Sequence, residues 1–479
     1  MGGSSHGANG AFTPRFLAWA IRSVRGGRTR SRGRRSRTWS HPKRKVRCAM
    51  PPAARIPIAA ITLLVLMAGC RDDRITAPGT ELAGPDQALQ VPLSLSAALG
   101  QTLFQDANLS VNRNQSCQTC HEPSQGFAAP VIGVTTQGSV VEGSVAGRFG
   151  DRKPPTTAYG TLTPVFSGGG NPIGGLFWDG RATGAVLGNP AADQALGPFV
   201  NPKEQALPDV ACVVQRVRTG SYLDEYTEVW GTAITTIVFP DDADLVCSTA
   251  TSAVGEVLAL TPTDRVTAQA EYYNVARSIQ AFEAAQNTFS SRLDVGTLTT
   301  QEVRGRKLFS GKGKCHQCHR SKGSRALFTD FRFHNLGVPR NPANPVHNYL
   351  TMTSDPGLGG FTGSAADRGR FRTPSVRNVA LGDNRTYMHN GVFVSLRQVV
   401  DFYNTRDVTR VCTADEIATL QPSQYGNFDP DGSGPLTAAG CWPPPEFGQN
   451  MDTKQMGNLG LTTQDVNAIV AYMRAMTDE

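Results

Sequence analysis

Two five-residue stretches have the residue types and spacing to do chemistry: Cys117-Gln118-Thr119-Cys120-His121 and Cys315-His316-Gln317-Cys318-His319. Two thiols three positions apart with a histidine directly after the second form the attachment pattern for a c-type haem. The thiols add across the vinyl groups, and the neighbouring histidine then lies beneath the iron as its ligand. Paired thiols of this kind also bind zinc. A single four-thiolate zinc would leave both histidines without a role, whereas two covalent haems use all six residues. Each stretch follows a Leu-Phe pair, Leu103-Phe104 and Leu308-Phe309, and a short loop. One plan is therefore written twice, about 200 residues apart.

The other cysteines fit this reading. The chain has 10, of which four lie in the two stretches. Cys70 ends Leu66-Met67-Ala68-Gly69-Cys70, which has the form of a bacterial lipoprotein cleavage site, with Met67 where leucine is more usual. Cys48 lies upstream and would be removed. Cys212, Cys247, Cys412 and Cys441 remain, one pair in each half, each pair spanning about 30 residues. Covalent haem and disulfides both belong outside the cytoplasm. We therefore expect Cys212–Cys247 and Cys412–Cys441 bridges rather than four buried free thiols.

Residues 1–49 are rich in Arg, Gly and Ser and lack apolar periodicity; they read as an extension from a start codon assigned too early. Residues 50–70 read as a lipoprotein signal peptide, with Arg55 as its positive region and Ile56 to Met67 as its apolar core. That core is too short for a permanent span. The formal net charge is +8, but residues 1–70 hold 14 of the lysines and arginines and no acid, so removing them leaves −6. The basic character belongs to the discarded segment, and no nucleic-acid partner is expected. A periplasmic protein, held to the outer membrane only by lipid at Cys70, is the expectation. Residues 71–94 read as a flexible tether.

What remains is long enough for two domains, 95–295 and 296–479. Leu99 to Phe104 and Arg304 to Phe309 read as short amphipathic helices ahead of each cysteine pair. Ala268 to Arg292 carries Val275, Ile279 and Phe282 at helical spacing, and Thr463 to Thr477 carries Val466, Ile469, Val470 and Met473. Strand-like runs are short and few. The expected fold is mainly α: two cytochrome-c-like domains with long loops, each binding one covalent c-type haem.

Three further blocks carry a family resemblance over roughly residues 95–479. They are Phe177-Trp178-Asp179-Gly180-Arg181-Ala182; Gln194-Ala195-Leu196-Gly197-Pro198 with Asn201-Pro202 and Glu204; and Phe371-Arg372-Thr373-Pro374-Ser375-Val376-Arg377-Asn378 through Tyr387-Met388-His389-Asn390-Gly391 to Tyr403. With the haem motifs, they make the chain resemble the bacterial di-haem cytochrome c peroxidases and their MauG-type relatives. Reducing hydrogen peroxide to water takes two electrons, and one haem iron readily supplies one. A second haem holds the other equivalent.

The resemblance implies roles for matching positions. Glu204 matches the distal acid that shuttles a proton between the peroxide oxygens; Gln194 and Pro198 would line the same pocket. The stretch Gly184 to Asp193 is longer than in familiar members, which would reshape the approach. Trp178 matches the tryptophan between the haems, a candidate electron relay. No histidine occurs between His121 and His316, and no methionine between Cys70 and Met352. The His121 haem therefore lacks a cap from its own domain, as in MauG-type enzymes, and is expected to be open to peroxide. The sixth-ligand position of the His319 haem, methionine in the peroxidases and tyrosine in MauG-type enzymes, is Tyr403; Met388 is the rival. An anionic oxygen ligand favours the more oxidised iron. His334 and His389 would either border a haem propionate or serve as structural histidines, and His316 is expected to be exposed.

A calcium ion between the domains is also implied, with Asn384 and Thr386 donating carbonyls. Lys153 replaces the family's asparagine there and counts against it. Asp429 to Gly434 superficially resembles a calcium loop but lacks the terminal glutamate. The implied function is oxidation by hydrogen peroxide, with electrons from a small periplasmic donor, a cytochrome c or a cupredoxin. The alternatives are MauG-type oxidation of residues on a partner protein, and a non-enzymatic di-haem electron carrier. A carrier needs neither an open iron nor a distal acid.

Overall fold

Glycine sets the two helix crossings on which the molecule is built. The helix Leu95–Gln105 lies against Pro262–Ala285, and the helix Thr300–Ser310 lies against Thr463–Arg474. At the first crossing a Cβ on Gly100 would stand 1.9 Å from the Ser278 carbonyl oxygen. At the second, a Cβ on Gly305 would stand 1.9 Å from the Ala468 carbonyl oxygen. Only a residue without a side chain lets the backbones approach so closely. The repeat inferred from the cysteine motifs thus extends to the packing of the helices that precede and follow them.

The computed structural model describes residues 93–479, except 131–138, 324, 348–352, 383–384 and 427–438. The extension 1–49, the signal segment with Cys70, the tether as far as residue 92, Asn384 and the Asp429 to Gly434 loop lie outside the described residues. The described chain is one compact unit. Its regular structure is mostly helix. Among the described residues, strands occur only as two short pairs. Phe333–His334 runs antiparallel to Phe371–Arg372, and Arg410–Val411 runs parallel to Cys441–Trp442. No described helix is long and apolar enough to cross a membrane.

One core gathers Leu99, Leu103 and Phe104 with Tyr226, Ile279 and Phe282. A second gathers Phe309 and Phe328 with Ile469, Tyr472 and Met476. A third, aromatic, joins Phe393, Phe402, Tyr425 and Trp442. Both expected disulfides form, Cys212–Cys247 and Cys412–Cys441. The latter staples the parallel strand pair.

The long helix begins earlier and ends earlier than its apolar spacing predicts. Thr261 accepts a hydrogen bond from the Asp264 amide with Pro262 at the first helical position, a combination that starts helices well. It stops at Ala285 rather than Arg292. Asn287 bonds instead to the Tyr159 amide and the Thr161 hydroxyl, and Phe289 takes a left-handed φ of 52°. The last helix likewise closes at Arg474 rather than Thr477.

Candidate functional site

The two cysteine motifs have closely similar surroundings. Phe104 lies 6.4 Å from the His121 ring and Phe309 lies 6.4 Å from the His319 ring. His121 donates from Nδ1 to the Phe127 carbonyl at 3.2 Å, and His319 donates from Nδ1 to the Phe328 carbonyl at 2.9 Å. Phe127 and Phe328 both turn the chain with left-handed φ, 55° and 50°. A carbonyl only accepts, so Nδ1 holds the proton in each histidine and Nε2 keeps its lone pair for a metal. Burial pushes the His121 ring down to about 4, despite the Phe127 bond, and lowers His319 likewise. Both rings are therefore neutral at pH 7, the form that binds iron.

Cys117, Cys120, Cys315 and Cys318 take part in neither disulfide. Each pair opens onto a cavity, of about 1530 Å³ beside His121 and about 1410 Å³ beside His319, counting space at the mouths. Two thiols, one metal-ready imidazole and an apolar cavity of that size fit a covalently attached haem on each side.

The structure brings Gln194, Pro198 and Glu204 together with His121 around the first cavity. Local chemistry places them. Asn189 caps the short helix Pro190–Ala195, which carries Gln194. Asn201 then accepts from the Lys203 amide through its side chain and from the Glu204 amide through its carbonyl, turning Glu204 inward. Burial raises the Glu204 carboxyl above the usual range, outweighing the Arg181 guanidinium and the Asn201 hydrogen bond. Among the described residues lining this cavity, His121 is the one histidine and none is methionine.

Trp178 lines both cavities, and it alone is shared between them among the described residues. A tight turn holds it: Leu176 and Ala182 pair across it, with left-handed φ at Phe177 and Gly180. Its Nε1–H donates to the Lys153 carbonyl at 2.8 Å, and the Lys153 amide donates to the His389 carbonyl at 2.8 Å. One residue's backbone thereby ties Trp178 to the second half of the chain.

Tyr403 and Met388 both line the second cavity with His319. Tyr403 sits on the helix Leu396–Thr405, capped by Ser395. Burial raises its phenol, with the Cys318 and Cys315 thiols acting in the same direction. His334 and His389 also line this cavity. His334 is held between Asp452, 2.7 Å from Nδ1, and Asp330, 3.0 Å from Nε2. Against burial, the two carboxylates push its ring up to about 12. His389 is 3% exposed, stacks on Phe371 at 3.5 Å and meets the Trp178 ring edge-on at 6.4 Å. His316 is half-buried rather than exposed, with its Nδ1 shielded from solvent.

Two groups escaped sequence reasoning. Glu283 is a second buried carboxyl at the His121 cavity, pushed up to about 8 by burial. Its signal was an acid directly after Phe282 on an apolar helix face. Arg152 grips Asp355 through two hydrogen bonds of 2.6 and 2.7 Å and Asp179 through a third of 2.7 Å. Asp355 lies 203 positions from Arg152, and nothing in the sequence pairs them.

A sequence model described as "Di-haem cytochrome c peroxidase" matches residues 94–301. The methylamine utilization protein MauG of Paracoccus denitrificans is 32% identical over 397 residues, covering 80% of this chain and 88% of its own. The cytochrome-c peroxidase IdrP2 of Denitromonas iodatirespirans is 28% identical, covering 64% of this chain and 72% of its own. Among solved structures, the diheme peroxidase BthA of Burkholderia thailandensis is similar with a TM-score of 0.56 and 27% identity, covering 82% of this chain and 88% of that one. The chain belongs to the di-haem cytochrome c peroxidase and MauG family. It is an enzyme of the di-haem peroxidase type, in a family whose members carry two haems c.

Proposed function

We propose that the protein is a di-haem oxidoreductase that uses hydrogen peroxide as oxidant on the His121 side and takes in electrons on the His319 side. The observation that carries this is the single ring of Trp178 between two like cavities, one of which alone gathers Glu204, Gln194 and Pro198. Haem attached at both motifs would supply the redox-active iron. Cys117, Cys120 and His121 would hold one group, and Cys315, Cys318, His319 and Tyr403 the other. Residues 95–295 form the peroxide-handling half and 296–479 the electron-transfer half. Leu293 already pairs with Ala475, so the chain changes partner close to that boundary.

The chain's own groups do the rest. Glu204 takes the proton from one peroxide oxygen and returns it to the other as that oxygen leaves as water. Gln194 and Pro198 shape the approach. Trp178 spans the gap through which two electrons per peroxide must pass. Tyr403 lines the second cavity with His319; a cation held there would offset the effect of burial on its phenol and favour the phenolate as a ligand.

The MauG relative supports a second reading, in which the oxidising equivalents are used on residues of a partner protein. Tyr403 and the lack of a histidine or methionine opposite His121 among the described cavity residues both favour it. A plain electron carrier would have no use for Glu204 where it lies. The expected setting is periplasmic, with a lipid anchor at Cys70.

Lys153 counts against the implied calcium ion, whose other ligand position Asn384 lies outside the described residues. Lys153 stands where the resemblance calls for an asparagine ligand; it is 7% exposed and makes no ion pair among the described residues. The Arg385 guanidinium adds a second positive charge beside it. Thr386 is buried and borders neither cavity among the described lining residues.

Glu204→Gln tests the central assignment. With haem content unchanged, peroxide turnover should fall about 100-fold or more. Turnover within about twofold of the parent would remove Glu204 from the reaction.

A further inference from the structure

We infer that the rim of the His319 cavity is a docking surface for a negatively charged redox protein. This rests on the reading that electrons enter on the His319 side. Segment 301–325, which carries the second cysteine motif, holds eight lysines and arginines and one acid, Glu302. Glu302 is buried and paired with Arg292, so the acid adds nothing to the surface. Arg306, Lys307, Lys312, Arg320, Lys322 and Arg325 are exposed. The matching stretch 105–125 around the first motif holds one arginine and two acids. The chain beyond Cys70 is negative as a whole. The basic charge is therefore a local feature of the second motif, not a property of the surface at large.

Two sets of contacts place this charge at the cavity mouth. Lys314 lines the cavity, and its Nζ donates to the Lys454 carbonyl at 2.9 Å. Lys454 is itself exposed and lies between Asp452 and Gln455, which also line the cavity. Lys312 donates to the Gly460 carbonyl, between Leu459 and Leu461 of the cavity lining, and shares Asp465 with Arg304 at 3.5 and 2.8 Å, which leaves a net positive charge at that spot. Gln317 is exposed amid these cations, between Cys315 and Cys318. A partner seated on this rim would lie over the attachment edge of the second haem. Like-signed charge around one opening steers an oppositely charged protein and sets its orientation. It also disfavours a basic partner by repulsion.

The test is titration calorimetry of the holoprotein at low salt, using two probes: an acidic cupredoxin of the plastocyanin type and a basic cytochrome c of the mitochondrial type. The acidic probe should bind, and its Kd should rise at least about tenfold between 10 and 300 mM salt, as screening shortens the reach of the charges. The double variant R320E/K322E should raise that Kd by about tenfold at low salt. The basic probe should bind measurably only to the variant. Equal or tighter binding of the basic probe by the parent protein overturns the proposal. So does binding of the acidic probe that ignores both salt and the variant. If the variant fails to fold, the salt dependence of the parent protein decides the matter alone. Peroxide turnover with hydroquinone, a small neutral reductant, reports on the function reading separately. Its loss would sink that reading, while the binding arms would still judge the surface.

Discussion

Glu204, half-buried, and Lys153, buried, are ionisable groups lining one cavity, and their behaviour should be measurable. Glu204 accepts a proton first, so it must start as a carboxylate. Burial places its pKa above the ordinary value of about 4.3. Peroxide turnover should therefore fall as pH drops through that raised pKa, and the inflection should vanish in Glu204→Gln. A rate flat to below pH 4 would contradict the assignment. Burial, aided by Arg385, pulls the Lys153 ammonium down to about 7. Below about pH 7 it is largely a cation already occupying the seam, and a divalent ion gains little there. Elemental analysis of the dialysed protein should find no stoichiometric calcium, and chelators should leave turnover unchanged. One calcium per chain, with activity lost on chelation, would overturn this. The cysteine motifs, Trp178, Glu204 and Tyr403 were all legible as residues because their neighbours in sequence define them. Glu283 was not, since its distinction is the cavity it faces.

At the scale of elements, the two helix crossings depend on glycine in each half. Gly100→Ala and Gly305→Ala should each destabilise the fold by about 3 kcal/mol, as overpacking against a backbone carbonyl leaves little room to relax. Each should also lower haem loading at its own motif first, Gly100→Ala at His121 and Gly305→Ala at His319. Denaturant unfolding and absorbance per chain check both. Unchanged stability would mean that the helices separate at no cost. The existence of these helices was plain from apolar spacing, but their ends were not. The long helix stops where Asn287 and Phe289 are recruited by Tyr159 and Thr161, residues far away in sequence. Periodicity carries no record of such contacts.

Across the whole molecule, the Arg152 cluster joins the halves. Burial favours the neutral form of Asp355, but the Arg152 guanidinium wins and holds the carboxyl well below the usual range. A depressed folded-state pKa contributes stability above the unfolded value of about 3.9 and loses it as pH falls below that value. The protein should therefore weaken sharply in acid. Arg152→Ala should cost about 3–5 kcal/mol at neutral pH by leaving Asp355 buried without its cation, while Asp179 keeps Arg181. It should also flatten the acid dependence. A variant as stable as the parent in denaturant titration at pH 7 would show that the cluster is not what couples the halves. The repeat of cysteine motif and preceding helix could be read from the sequence. This seam could not, because its partners come together only when both halves have folded.

The most direct test of the central claim is an electronic and EPR spectrum of the fully oxidised protein, before and after one equivalent of hydrogen peroxide. The account predicts one high-spin ferric haem, from the side where His121 is the one histidine among the described cavity residues and none is methionine, and one low-spin haem ligated by His319 and Tyr403. It also predicts a prompt spectral change with peroxide, without prior reduction. Two low-spin haems that ignore peroxide would contradict the claim that the His121 side is open.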